Sequence, residues 1–543
     1  MRRIFFLPPL LLFFVTSIAQ PFTSSNLPVI IINTNGQTIV NDPKITADMG
    51  IIYNGVGVRN NVTDPFNHYN GKIGIEIRGQ SSQMFPMKSY GIELRDNAGS
   101  SQDKVLFGLP KESDWVLYAP YTDKTLMRNF LAYTMSREMG HWSANCRFVE
   151  VVVNGDYKGI YVFMEKIKRN AGRVNISKIA ATDISGDEIT GGYIFSLDKE
   201  PDGWFSSYVA PNSTTGNKRR FSYVFPKIEN MASQQKDYIK SYVDSFENAL
   251  AGPQFQDPVA GVRKFADIPS FIDYFIVNEV SRNVDGYRLS SYFYKDRNSK
   301  NRKIIAGPVW DYDLAFRNAD YCDGSKLSGW AYQFNYVCPG DGAGLIPFWW
   351  NNFMNDTAFK SDLRCRWKQL RTTTLSETHF NSLIDSVFNL VNEARRRHFQ
   401  RWPILGQYVW PNAQPIPTTY EGEIATLKNW IASRLQWIDE NISNSGACMD
   451  YHYPVSVNES VIISIQPNPF AGNPVINVES RVAQSIGLNI LDAAGRNLYR
   501  NNYNLSVGYN SITIPFAQWS AGVYFFSFKT SGGEKLIRKA IKQ

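Results

Sequence analysis

Between Asn278 and Asp313 the chain gathers carboxylates and amides at the positions where loops begin. Asp285 follows a predicted helix, and Asp311 and Asp313 follow a predicted strand. Hard oxygen ligands on loops suit Mg2+, which binds through a few carboxylates together with substrate phosphates. A single aspartate there would as readily cap a turn. The order helix, Asn-x-Asp, strand, turn, strand, Asp is instead close to the catalytic and metal-binding segments of kinase-type phosphotransferases. Arg78-Gly79-Gln80-Ser81-Ser82 forms a second cluster, a small-residue turn between two strands, with Lys88 opening the next strand. Such a turn can hold phosphate oxygens on N–H groups and hydroxyls while a lysine neutralises them; an ordinary hairpin turn is the competing reading. Lys124 and Arg128 either face the same cleft or carry solvated charge. Glu165-Lys166 ends a strand, at the cleft or as a surface ion pair. The five histidines are scattered and the five cysteines show no zinc spacing, which argues against a histidine or thiolate metal centre.

These residues need elements to position them. Pro28-Val29-Ile30-Ile31-Ile32, Ile73 to Arg78 and Tyr90 to Leu94 predict strands. Thr122-Asp123 can cap a helix over Lys124 to Met139, where Met127, Leu131, Met135 and Met139 recur on one face. Phe148 to Val153 and Ile160 to Glu165 predict a hairpin through Asn154-Gly155-Asp156. An amphipathic helix over Tyr238 to Leu250 and a second one capped by Asp267 follow. A strand pair, Ser291 to Lys295 and Lys303 to Trp310, leads to the aspartates. Further helices are expected at Ser361 to Leu370, His379 to Phe399 and Tyr420 to Asn441. The expected fold class is therefore α+β, a β-rich part before a mostly helical part with a cleft between them. Near Tyr451 the pattern changes to short strands with regular turns, as in a small β-sandwich.

The two ends account for most of the charge. Met1 to Gln20 reads as a cleavable secretory signal: Arg2 and Arg3, a short apolar run holding Pro8-Pro9, then Ser17-Ile18-Ala19. No other stretch is long and apolar enough to span a bilayer. Of the net +8, the signal carries two charges and the residues from Asn458 carry four, leaving +2 for the middle. So balanced a core argues against a nucleic-acid partner. The apolar fraction of 43% and aromatic fraction of 14% predict well-cored domains. In an oxidising destination Cys322 and Cys338 would close a compact loop, and an odd cysteine stays outside any intramolecular disulfide.

With these motifs in order, the chain resembles the CotH kinase family over roughly Pro28 to Asn441. The likeness rests on Arg78 to Ser82, Phe85-Pro86-Met87-Lys88-Ser89-Tyr90, Asp114 to Leu117, Thr122 to Asn129, Val162 to Lys168 and Gly191-Gly192-Tyr193. Asn283-Val284-Asp285 and Gly307-Pro308-Val309-Trp310-Asp311-Tyr312-Asp313 complete it. The resemblance implies an atypical protein-kinase-like fold that binds ATP and Mg2+ and phosphorylates Ser or Thr of a protein, spore-coat proteins in spore formers. Asp285 would match the catalytic aspartate, and Asp311 a metal ligand with Asp313 beside it. Lys88 would contact the phosphates, and Arg78, Ser81, Ser82, Lys124, Arg128 and Glu165 are the further candidates for binding the cofactor. Met87 stands where a lysine is often found, and no His-Arg-Asp loop is evident. The C-terminal block resembles the type IX secretion sorting domain of Bacteroidetes through Pro467-Asn468-Pro469-Phe470, Leu491 to Arg496, Ala521-Gly522-Val523-Tyr524 and the basic ending. That implies export across the outer membrane by the type IX machinery to the surface or medium. The expected divisions are 1–20 (signal), 28–445 (CotH-like) and 458–543 (sorting). The expected activity is secreted Ser/Thr phosphotransfer. A non-catalytic surface scaffold or AMP transfer are the competing readings.

Overall fold

Strand parity decides how the first part of the chain packs. In chain order it contributes β1 (Ser24–Ser25), β2 (Val29–Asn33), β3 (Ile45–Ile52), β4 (Asn60–Asn61), β5 (Tyr69–Arg78), β6 (Ser89–Arg95), β7 (Asp114–Tyr118), α1 (Arg128–Glu138), β8 (Cys146–Val153) and β9 (Asp156–Glu165). The computed structural model describes residues 22–199, 201–338, 344–442, 448 and 461–543 except 467, 481–483, 507, 517 and 532–534. The expected signal segment lies outside them. Seven strands close a barrel in the order β2-β3-β5-β6-β7-β9-β8, and the parallel β2–β8 pair shuts it. Alternate residues such as Ile32, Met49, Ile75, Leu117, Val151 and Phe163 fill the interior. The intervening Val116, Tyr118, Phe148 and Val162 join a second core on the outer face, beneath α1. Burial on both faces explains why Phe148 to Val153 is apolar at every position but Glu150, whose carboxylate pairs with Arg397 at 2.6 Å.

At the β8–β9 turn, Asn154 has φ +53° and Gly155 φ +79°. Two consecutive positive φ values match the right-handed strand twist, so the expected hairpin forms there. α1 begins one turn later than expected. Leu126 sits at φ +67° and breaks the helix, while the Asp123 carboxylate accepts the N–H groups of Thr125 (3.1 Å) and Arg128 (2.8 Å).

The second part adds β10 (Tyr193–Leu197), β11 (Gly203–Val209), β12 (Lys218–Phe225), α2 (Ser233–Ala251), α3 (Ile268–Ser281), β13 (Ser291–Lys295) and β14 (Ile304–Ala306). The helices α4 (Trp349–Phe353), α5 (Thr357–Arg371), α6 (Glu377–Leu390), α7 (Ala394–Arg401) and α8 (Tyr420–Asn441) follow. Helices dominate as expected, but a five-stranded antiparallel sheet, β11-β12-β10-β13-β14, stands among them. Asp267 caps α3 by accepting the Ser270 N–H at 3.2 Å. The strand expected to reach Trp310 stops at Ala306, because Gly307 has φ +112° and Pro308 has no N–H to continue the ladder. The helix expected over His379 to Phe399 is interrupted between Leu390 and Ala394. Cys322 pairs with Cys338 and Cys365 with Cys448; Cys146 forms no disulfide.

The C-terminal part holds β15 (Val461–Gln466), β16 (Val475–Ser480), β17 (Gln484–Asp492), β18 (Asn497–Leu505), β19 (Gly508–Thr513), β20 (Gly522–Thr530) and β21 (Lys535–Lys542). They form sheets β15-β16-β19 and β18-β17-β20-β21 around one core that includes Val478, Leu488, Ile512 and Phe526. β18 and β21 show the weakest strand pattern in the sequence. β18 is rich in asparagine, and β21 hides its period-two pattern of Leu536 and Ala540 among basic residues. Among the described residues no helix is long and apolar enough to cross a membrane.

Gly155 has open space around its Cα, so Gly155→Val tests backbone conformation alone. The variant is expected to lose about 1–2 kcal/mol in urea unfolding, from a β-branched residue forced to positive φ.

Candidate active site

A cleft of about 610 Å³ opens between the barrel and the second part. One wall comes from the end of β5, the turn after it and the end of β9, with Arg78, Ser81, Ser82 and Lys166. The opposite wall comes from the loops after β10, α3 and β14, with Asp198, Asp285, Asp311 and Asp313. One wall is thus basic and the other acidic.

The acidic loops are built by local hydrogen bonds. α3 ends where Arg282 adopts φ +47°, which turns the chain out of the helix. Asn283 Oδ1 then accepts the Asp285 N–H at 3.2 Å, and Asn283 Nδ2 donates to the Asp311 carbonyl at 3.2 Å. One asparagine therefore ties together the two loops that carry the aspartates. Asp311 itself has φ +65°. Its N–H donates to Tyr133 Oη at 3.1 Å, and the Tyr312 N–H donates to Asn129 Oδ1 at 2.6 Å. The Tyr118 hydroxyl donates to Asp313 Oδ2 at 3.3 Å. α1 and β7 thus fix the loop that follows β14.

Clustered carboxylates under partial burial resist ionisation. Asp311 is pushed up to about 6, first by desolvation and then by the charges of Asp285 and Asp198. Desolvation and the Asp311 charge raise Asp313 well above the carboxylate range. Asp285 and Asp198 are raised by desolvation, and Arg288 and Lys199 oppose the rise at Asp285. On the basic wall the Arg78 guanidinium lies 5.6 Å from the Trp310 ring centre. Lys44 pairs with Glu76 at 3.4 Å. Lys166 is lowered by desolvation, with Asp114 opposing. Among the described residues no three His, Cys, Asp or Glu side chains converge closely enough to hold a metal by themselves.

The structure brings Asp285, Asp311, Asp313, Arg78, Ser81 and Ser82 together at the cleft. The other expected residues are engaged elsewhere. Lys88 Nζ donates to the Gln83 carbonyl at 2.5 Å and does not line the cleft. Lys124 donates to the Gln407 carbonyl, and desolvation lowers it to about 8. Arg128 is 3% exposed and paired with Asp123 at 2.5 Å. Glu165 is fully buried, accepts both N–H and Nδ2 of Asn145, and faces Arg173 Nε at 3.5 Å. Its neighbour Lys166 lines the cleft instead, since successive residues leaving a strand point to opposite sides. Asp198 was not anticipated, although it follows β10 directly, as Asp311 follows its own β-rich run. Asn129 was cited only as part of a motif; its buried Nδ2 has no hydrogen-bond partner among the described residues.

A family model described as "CotH kinase protein" matches residues 75–438, a span that holds both clusters of the cleft. The chain belongs to the CotH kinase protein family. In this CotH-family chain a second model, "Secretion system C-terminal sorting domain", matches residues 464–543. A CotH-family protein with that tail is exported to the cell surface or beyond, by the type IX machinery. No curated protein matches the chain. A solved DUF3244 family protein with an immunoglobulin-like β-sandwich fold, from Bacteroides vulgatus ATCC 8482, is 19% identical to it. The match covers 15% of this chain and 83% of that one, with a TM-score of 0.13.

The raised Asp311 value makes a stability prediction. The unfolded carboxyl ionises near pH ~4, whereas the folded one holds its proton to about 6. The cost of the charge therefore builds up across that window and is full above it. Asp311→Asn is expected to melt higher than the parent at pH 7 by calorimetry, with the gap narrowing at pH 5.

Proposed function

We propose that this exported CotH-family protein is a phosphotransferase that moves the γ-phosphoryl group of ATP, with Mg2+, to a Ser or Thr hydroxyl of a surface or secreted protein. The observation that carries this reading is the divided cleft, with Arg78 and Lys166 facing Asp198, Asp285, Asp311 and Asp313. The donor set fits a hard divalent cation: only carboxylates and an amide are offered, and no three carboxylates close on one point. Phosphate oxygens would have to complete such a site. Gly79 supports the phosphate role, because at φ +92° any Cβ would collide with Ser82 Oγ, and the turn stays tight.

In this reading Arg78, Lys166 and the turn Gly79–Ser82 bind the phosphates. Asp311 and Asp313 hold the cation, which when bound supplies charge neutralisation on the phosphate oxygens. Asn129 Nδ2 is a spare donor for the same oxygens. Asp285 orients the acceptor hydroxyl and takes its proton on a carboxylate oxygen. Arg288 and Lys199 oppose desolvation there and favour the ionised form that this role needs. Glu165 and Arg128 act one layer back, each locked in a buried pair beneath the cleft wall.

The test is purified protein with α- or γ-labelled ATP, with and without Mg2+. Mg2+-dependent γ-label transfer is expected; transfer of α-label would replace the reading with AMP transfer. No nucleotide binding in calorimetry would leave the scaffold reading. Asp285→Asn is expected to lower transfer by about 10²–10⁴-fold with nucleotide affinity kept. Lys166→Ala is expected to weaken nucleotide binding by about tenfold or more, and Lys88→Ala to leave it near the parent value.

A further inference from the structure

The turn Arg282–Arg288 carries Asp285, and a single loop holds it at both ends and in the middle. That loop is closed by the Cys322–Cys338 disulfide, whose cysteines are 16 residues apart. At the first end, Arg282 Nε donates to the Asp323 carbonyl at 2.9 Å and Nη1 donates to that of Gly329. In the middle, Gly324 approaches Val284 so closely that a Cβ there would collide with the valine side chain. At the far end Arg288 is 0% exposed, with Nη1 3.3 Å from Cys338 Sγ and Nη2 3.7 Å from Cys322 Sγ. Arg288 Nε has no hydrogen-bond partner among the described residues. Asp285 is the foremost opposite charge acting on it. Both sulfurs therefore seat the buried cation that faces the aspartate.

We infer that the Cys322–Cys338 disulfide is a redox-controlled positioning element for Asp285, with Arg288 the positioning residue that couples the two. The inference rests on the reading of Asp285 as the residue that orients the acceptor. Forming the bond joins Cys322 Sγ to Cys338 Sγ and releases two protons and two electrons. A disulfide-class oxidant takes them up and becomes a dithiol. Inside the cell, thiols stay reduced, and oxidation comes with export. The turn is then loose where ATP is plentiful and set only at the destination. The second disulfide, Cys365–Cys448, joins α5 to a residue beyond α8 and serves as the control.

The experiment uses the full chain carrying C365S and C448S, so that dithiothreitol acts on one disulfide. Oxidised and reduced forms are compared by hydrogen–deuterium exchange and by γ-label transfer. Amides of 282–289 are expected to exchange at least about tenfold faster when reduced, with β5 and β9 unchanged. Transfer is expected to fall by about 10²-fold on reduction while nucleotide affinity holds within about twofold. Arg288→Lys should retain more transfer than Arg288→Gln. Equal exchange at 282–289 in the two redox states overturns the inference whatever the transfer assay reads. Faster exchange throughout the barrel would mark a general staple and overturn it as well. Selective loosening with a silent assay in both states would instead remove the phosphotransferase reading and leave the positioning element standing.

Discussion

Holding several carboxylates in one half-enclosed cleft is costly, because each loses water and each repels the others. Asp198, Asp285, Asp311 and Asp313 come from three separate loops, and nothing in their own chemistry draws them together. The surrounding fold must therefore impose the arrangement. Asn283 joins the Asp285 and Asp311 loops through its amide, and Tyr118, Asn129 and Tyr133 pin the second of these from the side of β7 and α1. The positive φ of Asp311 belongs to the same constraint: a backbone conformation disfavoured for most side chains is kept because its neighbours over-determine it.

The barrel supplies the rigidity that this needs. A closed sheet has no free edge, and its strand ends cannot slide without moving every neighbour. β5 and β9 run in opposite directions, yet both border the cleft and present Arg78 and Lys166 toward the acidic wall. Beneath them Glu165 and Arg173 form a buried pair, and the Arg173 guanidinium lies 4.9 Å from the Trp115 ring centre. Burying charge there adds little net stability but fixes orientation, since either partner alone would be left unpaired in the interior. On this wall Arg78 and Lys166 line the cleft, while Glu165 and Arg173 hold it from behind.

That division also explains what could be read from the sequence. Strands with one apolar face, the Asn154-Gly155 turn, the Asp267 cap and the aspartates after α3 and β14 depend on local pattern, and all were legible. β11 and β12 were not, because Ser206, Ser207 and Lys218-Arg219-Arg220 break the apolar alternation. β12 is held by pairing with β10, a non-local contact, and β11 by pairing in turn with β12. Residue type alone could not separate Lys88 from Lys166. Which lysine reaches the cleft depends on strand parity and on the Gln83 carbonyl that takes up the Lys88 ammonium. Asp198 directly follows β10, but that strand is not among those the sequence pattern marks, so nothing draws notice to the residue after it.

The opposed walls set a further condition on any polyphosphate that enters. Arg78 and Lys166 attract it, while the aspartates across the cleft repel it unless a divalent cation stands between. In the proposed reading, binding of nucleotide and binding of cation are then linked, and each would strengthen the other by the same factor. The raised value of Asp311 belongs to that linkage, since a cation that favours the ionised carboxylate relieves the repulsion the empty cleft carries. A cleft lined only with bases would hold nucleotide without a metal, and one lined only with acids would hold metal without nucleotide. In the proposed phosphotransferase reading, the divided cleft disfavours each alone and favours both together, so the repulsion among its carboxylates would be the source of its selectivity for the pair.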